Sequence, residues 1–374
     1  MITEELLDRL LREVRERHAE FAERQSVSPD IIELMKAAGI FRALVARRFG
    51  GDEWSPAKFL RLIERIAIAD GSAGWVASFG FGAVYLSALP VATLEAIYAE
   101  TPDVIFAGGI YPPQQAVAVD GGLRVSGRWG WGSGSTGAML FGVGIKSDDG
   151  RGGSLPRVAV LTRDQVRIEK NWDVIGLQGT GSHDMVVKDA FVPLEWTFVR
   201  GGGSSLEAPL YRYPTLALSA QVLAVVGLGV ARAALDEITN IAGARSSITG
   251  APALADRAYT QIGIANGEAA LRSARAFFFE ATEEAYARLE AGHELERKEI
   301  ALLRLASSNA ARVGAEVARS AYTMSGTTGI FTASPLAHYM NDAMVIPQHA
   351  FMSEGTWQNA GRVFLGLDVP PGFP

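Results

Sequence analysis

The chain has no cysteine among its 374 residues. That absence excludes disulfides, thiolate nucleophiles, cysteine-ligated zinc and iron–sulfur clusters together, and it predicts a cytoplasmic protein. Histidine is scarce as well. The five, at positions 18, 183, 293, 338 and 349, include no pair at i, i+4 spacing, so no metal site is expected. A basic face is missing too: the formal charge is −6 with no Lys/Arg block, which argues against a nucleic-acid partner. No uninterrupted apolar run is long enough to span a bilayer. The best candidate, Leu216 to Leu235, is broken by Gln221 and Arg232, and the N-terminus carries Glu4, Glu5, Asp8, Arg9 and Arg12 among its leucines, unlike a signal peptide; no membrane partner is expected. There is no H-E-x-x-H, P-loop or G-x-S-x-G motif. Gly132–Gly137 fits G-x-G-x-x-G only formally, because a strand-like run follows it where a dinucleotide fold needs a helix.

What remains is an ordinary globular composition, 48% hydrophobic and 20% charged, whose texture changes twice along the chain. Residues 1–102 read as helices. Leu7, Leu10, Leu11 and Val14 share one face, Ser28-Pro29 opens a second helix that Gly39 closes, and further patterns cover Pro56–Ala69 and Ala92–Glu100. Residues 103–214 are short β-branched and aromatic runs between Gly, Asp and Pro, with Asp120-Gly121-Gly122 as a hairpin turn. Residues 215–374 return to long periodic segments at about 216–244, 253–290, 294–323 and 336–366, the pattern of a four-helix bundle. The predicted fold class is α+β: an N-terminal helical domain, a central β-barrel-like domain and a C-terminal bundle.

The glycine-rich stretch Gly127-Arg-Trp-Gly-Trp131-Gly-Ser133-Gly134 puts an aromatic and a hydroxyl two residues apart where the backbone approaches neighbours closely. Two readings compete for it: a turn whose Trp131 packs in the core, or a wall and a hydrogen-bond donor for a flat ring. A second stretch, Asn171 to Asp184, contains the run Gly179-Thr180-Gly181-Ser182-His183, and Phe106-Ala-Gly-Gly109 precedes both. With Asp70-Gly-Ser-Ala-Gly-Trp75, these segments in this order resemble the acyl-CoA dehydrogenase superfamily over nearly the whole chain. The resemblance implies a flavin-binding fold, with Gly109, Trp131, Ser133, Thr180, Gly181 and Ser182 facing the cofactor.

The departures select a branch. Gly109-Ile-Tyr-Pro-Pro113 stands where the dehydrogenases carry Thr-Glu-Pro, and Arg245-Ser-Ser-Ile-Thr-Gly250 does not supply their Arg-x-x-Phe-Gly grip on the flavin diphosphate. The motifs Asp70-Gly-Ser, Arg128-Trp…Ser133 and Thr180-Gly-Ser-His183-Asp184 are similar to the two-component aromatic monooxygenases. That branch takes reduced FAD or FMN from a separate NAD(P)H flavin reductase, reacts it with O2 to a C(4a)-hydroperoxide, and hydroxylates or epoxidises a small aromatic or indolic substrate. A homotetramer is its usual assembly. The resemblance makes Ser133 and His349 the catalytic candidates, His349 as acid or base toward substrate or peroxide. The alternative is an acyl-CoA dehydrogenase with bound FAD and Glu354 as base. His18 and His293, in charged helical surroundings, are expected at the surface, and His338 has no motif to recommend it. Phe79, Phe81, Tyr85 and Tyr111 suit either a ring pocket or core packing.

Overall fold

The computed structural model describes residues 4–147, 155–244 and 252–373. Helices fill the first hundred residues, among them Glu4–Glu16, which buries Leu7, Leu10 and Val14, and Pro29–Ala37, closed by Gly39 at φ 77°. Pro56–Ala69 forms as its punctuation predicts, with the Ser55 hydroxyl accepting the Lys58 N–H. Directly after it, Asp70 caps a short helix, Gly71–Ser78, by accepting the Ala73 N–H at 2.7 Å.

Seven strands follow: β1 (Phe106–Val119), β2 (Gly122–Gly132), β3 (Leu140–Ser147), β4 (Arg157–Thr162), β5 (Val166–Glu169), β6 (His183–Pro193) and β7 (Thr197–Val199). They form one mixed sheet in the order β5-β6-β2-β1-β3-β4-β7, in which only β1 and β3 run parallel. The β1–β2 hairpin closes through Asp120-Gly121, with Gly121 at φ 73°. Two irregularities matter for the site. In β1 the ladder to β3 skips from Gly109 to Gln114, so Ile110 to Pro113 arch over Gly144, where a β-carbon would lie 1.9 Å from the Ile110 carbonyl oxygen. In β2, Trp129 pairs with Met185 and Gly132 with His183, which leaves one extra residue in β2. The bulge re-aims the strand: Trp129 is fully buried and donates to the Gly144 carbonyl at 2.9 Å, whereas Trp131, at φ 57°, is 67% exposed.

The C-terminal region begins with three long helices, Thr215–Ala244, Ala258–Glu290 and Arg297–Met324. The first is the one described helix long and apolar enough to cross a membrane, and 89% of that window is buried inside the protein. Its polar interruptions are partnered there: Gln221 accepts from Tyr213 and donates to Thr282, and Arg232 pairs with Asp236 and Glu268. The fourth predicted helix differs. Instead of one helix over 336–366 there are Leu336–Val345, two short 3-10 turns, and Glu354–Phe364. Pro347 lacks the N–H a helix needs and clashes with the preceding turn, and His349 and Ser353 then take extended backbone, with ψ of 138° and 164°.

The bundle meets the β region at Gly176. A β-carbon there would fall 2.3 Å from the Asn341 carbonyl oxygen, a backbone atom that cannot swing aside. Gly176→Ala is therefore expected to lower unfolding free energy by about 1–3 kcal/mol, measured by urea denaturation; an unchanged midpoint would show that this junction is slack.

Candidate active site

The site is assembled from three separate parts of the chain around the loop between β5 and β6. Val27 N–H donates to the Gly179 carbonyl at 2.7 Å, and Gly179 N–H donates to the Ser72 hydroxyl at 3.0 Å. Gly134 N–H reaches the Thr180 carbonyl, and the Ser135 hydroxyl the Gly181 carbonyl. At the loop's other end, His183 is fully buried and its Nδ1 accepts both the Asn171 and Trp172 N–H groups at 3.1 Å. Burial, then Lys170, lowers its pKa, which keeps the ring neutral. Arg128 and Asp184, both in the quoted motifs, pair across β2 and β6 at 2.5 Å.

Within this frame a chain of hydroxyls runs through three of the predicted residues. Thr180 Oγ1 donates to the Leu177 carbonyl at 2.9 Å and lies 2.7 Å from Ser182 Oγ, which lies 2.6 Å from Ser133 Oγ. Trp75 Nε1 donates to Ser133 Oγ at 3.1 Å. Each hydroxyl has one proton, and a carbonyl only accepts. Thr180 therefore donates to Leu177, Ser182 to Thr180, and Ser133 to Ser182. The Ser133 oxygen, having given its proton inward and accepted the indole N–H, keeps one lone pair and no donor. This reverses the donor role expected from sequence.

Gly109 is buried in β1, where an added β-carbon would meet the Gly130 carbonyl at 2.9 Å, so it permits the close approach of the strand that carries Trp131. His349 sits where the last helix breaks, its ring 6.2 Å from that of Trp75. Its Nδ1 accepts the Phe351 N–H at 3.3 Å, which leaves the proton on Nε2. Burial, Arg200 and Arg304 push its pKa down to about 4, so the ring is neutral near pH 7. Glu354 is elsewhere: its side chain is 86% exposed and paired with Arg312. An exposed, ion-paired carboxylate is not placed to take a substrate proton. Residues 245–250, the expected site of the missing Arg-x-x-Phe-Gly element, lie outside the described residues.

Sequence reasoning missed the group that locks the site. Asp342 is fully buried; its Oδ1 accepts the Leu177 N–H at 2.6 Å, and its Oδ2 lies 3.4 Å from His338 Nε2. Asp70 Oδ2 is 3.7 Å from the same nitrogen. Gly71 makes room, since a β-carbon there would sit 2.6 Å from Asp342 Oδ2. His18, expected at the surface, is half-buried with its ring 5.0 Å from that of His338. The available signal was the i, i+4 spacing of His338 and Asp342 on one helix. A cleft of about 740 Å³ beyond Thr136 and Gly137 is flanked by Arg24, Arg163, Arg167 and Lys170, and none of Ser133, Thr180, Ser182 or His349 lines it.

Comparison with known proteins agrees with this fold. Residues 221–354 match the family model described as acyl-CoA dehydrogenase, C-terminal domain. An indole-3-acetate monooxygenase of Pseudomonas putida is 56% identical over 359 residues, covering 96% of this chain and 92% of that protein. The flavin-dependent monooxygenase oxygenase subunit HsaA of Rhodococcus jostii is 29% identical over 360 residues, covering 92% and 93%. The chain belongs to the flavin-dependent monooxygenase family. The crystal structure of 3-HSA hydroxylase from Rhodococcus sp. RHA1 superposes with a TM-score of 0.91 at 27% identity, covering 98% of this chain and 97% of that one. This flavin-dependent monooxygenase is thus an oxidoreductase acting on aromatic compounds on an acyl-CoA dehydrogenase-like fold.

The Asp342–His338–Asp70 cluster makes stability depend on pH. Burial opposes the charged His338 ring, but Asp342 and Asp70 outweigh it and raise its pKa to about 9. Asp342, raised by burial against the pull of His338, titrates at about 6. His338 holds its proton more tightly folded than unfolded, where a histidine titrates near about 6.5. The stability it contributes is therefore complete below about pH 6.5 and is lost as pH rises through about 9. Melting temperature should fall between pH 7 and 9.5 by an amount corresponding to about 1–3 kcal/mol, and His338→Gln should flatten that fall. A variant that melts in parallel with the wild type across this range would remove His338 as the cause.

Proposed function

We propose that this chain is the oxygenase component of a two-component system, receiving reduced flavin from a separate NAD(P)H flavin reductase and oxygenating a small indolic compound, indole-3-acetate foremost. The observation that carries this reading is the polarity of the hydroxyl chain. Ser133 offers a lone pair and no proton, so its partner must be a donor. The N(5) atom of a reduced flavin carries hydrogen; that of an oxidised flavin does not. A resident cofactor cycling from the oxidised state, as in a dehydrogenase, would want the opposite polarity.

The remaining residues suit the same ring. Trp131 presents an exposed indole as its wall, and Gly109, Thr180, Gly181 and Ser182 complete the cofactor-facing set. Bound reduced flavin supplies, with O2, the electrophilic oxygen that an electron-rich ring accepts. The protein's part is to orient the partners and exclude water. The neutral His349 offers its Nε2–H beside Trp75 for orienting substrate or moving a proton. FAD and FMN share the ring on which these contacts act. A cytoplasmic homotetramer is the assembly we assign; Ile330 and Phe331, both about two-thirds exposed, support burial by another copy.

Two measurements test the reading. With chemically reduced FAD or FMN, O2 and indole-3-acetate, the protein should yield a product one oxygen heavier by mass spectrometry; no oxygenated product from any indole would overturn the assignment. Ser133→Ala should weaken reduced-flavin binding about tenfold, the worth of one hydrogen bond, and leave oxidised-flavin binding nearly unchanged in anaerobic titrations. Equal losses for both redox states would remove the polarity argument.

A further inference from the structure

Two arginines close to His349 have no acidic partner. Arg304, on the Arg297–Met324 helix, is 5% exposed, and its Nε and Nη1 are buried without a hydrogen-bond acceptor. Arg200, just after β7, buries an unpartnered Nε. Both guanidinium carbons lie against the Phe351 ring, at 5.1 Å for Arg200 and 5.2 Å for Arg304. Arg200 also faces the Tyr111 ring at 5.5 Å, and Arg304 the Phe373 ring at 5.1 Å. Among the described residues neither makes an ion pair, although many of the described arginines do. Burial and the neighbouring Arg200 push the Arg304 pKa down to about 10.

Aromatic faces satisfy a guanidinium only from above and below its plane; its N–H groups point outward in the plane and need acceptors. Arg200 is half-buried and its guanidinium also meets the Tyr85 and Tyr111 hydroxyls, whereas Arg304 is buried with two N–H groups left over, and an unpaired buried ion costs several kcal/mol. Such a pair is a built site for an anion, and a carboxylate matches the guanidinium fork. The same two arginines act on His349, whose ring neighbours Trp75, which in turn donates to Ser133. An anion held here is thus linked to Ser133 through His349 and Trp75.

We propose that Arg200 and Arg304 together bind the carboxylate of an aromatic acid substrate, with its ring carried toward His349 and Trp75. The proposal rests on the reading that this site oxygenates an indolic ring and names the part of the substrate that is recognised. The arginines are specificity-determining residues.

The test compares indole-3-acetate with its neutral isostere indole-3-acetamide, by anaerobic calorimetry on wild-type protein holding reduced FAD. The acid should bind at least about 30-fold tighter. Arg200→Met and Arg304→Met should each weaken acid binding about 10- to 100-fold, the range for a hydrogen bond to a charged group, and change amide binding less than about threefold. Equal wild-type affinities for acid and amide would overturn the proposal without recourse to any variant. So would variants that lose reduced-FAD affinity while keeping the acid preference, because the pair would then serve the flavin. Mass spectrometry of the same wild-type mixtures after admitting O2 separates the two readings: an oxygenated indole without acid preference overturns only the arginine site, whereas no oxygenated product overturns the oxygenase reading beneath it.

Discussion

The buried carboxylate of Asp342 is the constraint on which the rest of the site depends. It belongs to the C-terminal bundle, yet its partners are a backbone amide of the β region and a histidine it shares with Asp70 of the N-terminal helices. An ionised group in that position is tolerable only with its partners in place, and breaking such a pair commonly costs about 3–5 kcal/mol. The three parts of the chain are therefore held in register by one side chain. The segment that Asp342 holds, Leu177 to Ser182, is the one that fixes the direction of every proton in the hydroxyl chain. The chemistry offered at Ser133 is in this sense decided more than one hundred and fifty residues away in sequence, through contacts between residues 177 and 342.

Two histidines show how far surroundings override residue type. His338, between two carboxylates, is held charged. His349, half-buried and near two arginines, is held neutral. Their positions eleven residues apart follow from the break at Pro347, which lets one remain on a helix facing Asp342 while the other leaves it for the Trp75 side. Had the helix continued, residue 349 would have followed the helical face and the short turn that accepts Phe351 N–H would not exist.

Much of this was legible in the sequence because it depended on local rules. Pro56–Ala69 begins with a capping serine and a proline and ends at Asp70, and the Asp120-Gly121 hairpin needed only a residue tolerant of positive φ. The Thr180-Gly-Ser182 and Trp131-Gly-Ser133 pairs were visible as motifs, but their joining was not, since it arises from strand register between β2 and β6. The single long helix over 336–366 was misjudged by weighing periodicity above Pro347. Arg304 carried a signal that went unused. It stands on the inward stripe of its helix among Ala301, Ser308 and Ala311, a place where an unpaired charge needs a reason. Arg200 carried none, because its burial depends on Phe351 arriving from the far end of the chain.

The bulge in β2 leaves Trp131 in a conformation that L-residues other than asparagine and aspartate rarely adopt. A glycine there would relieve the backbone and make the protein easier to fold, while removing the indole from the surface. Backbone stability and the proposed role of the indole as a flavin wall thus pull this position in opposite directions. A tryptophan held strained and exposed at such a site is not accounted for by packing, which a glycine would serve as well at lower backbone cost.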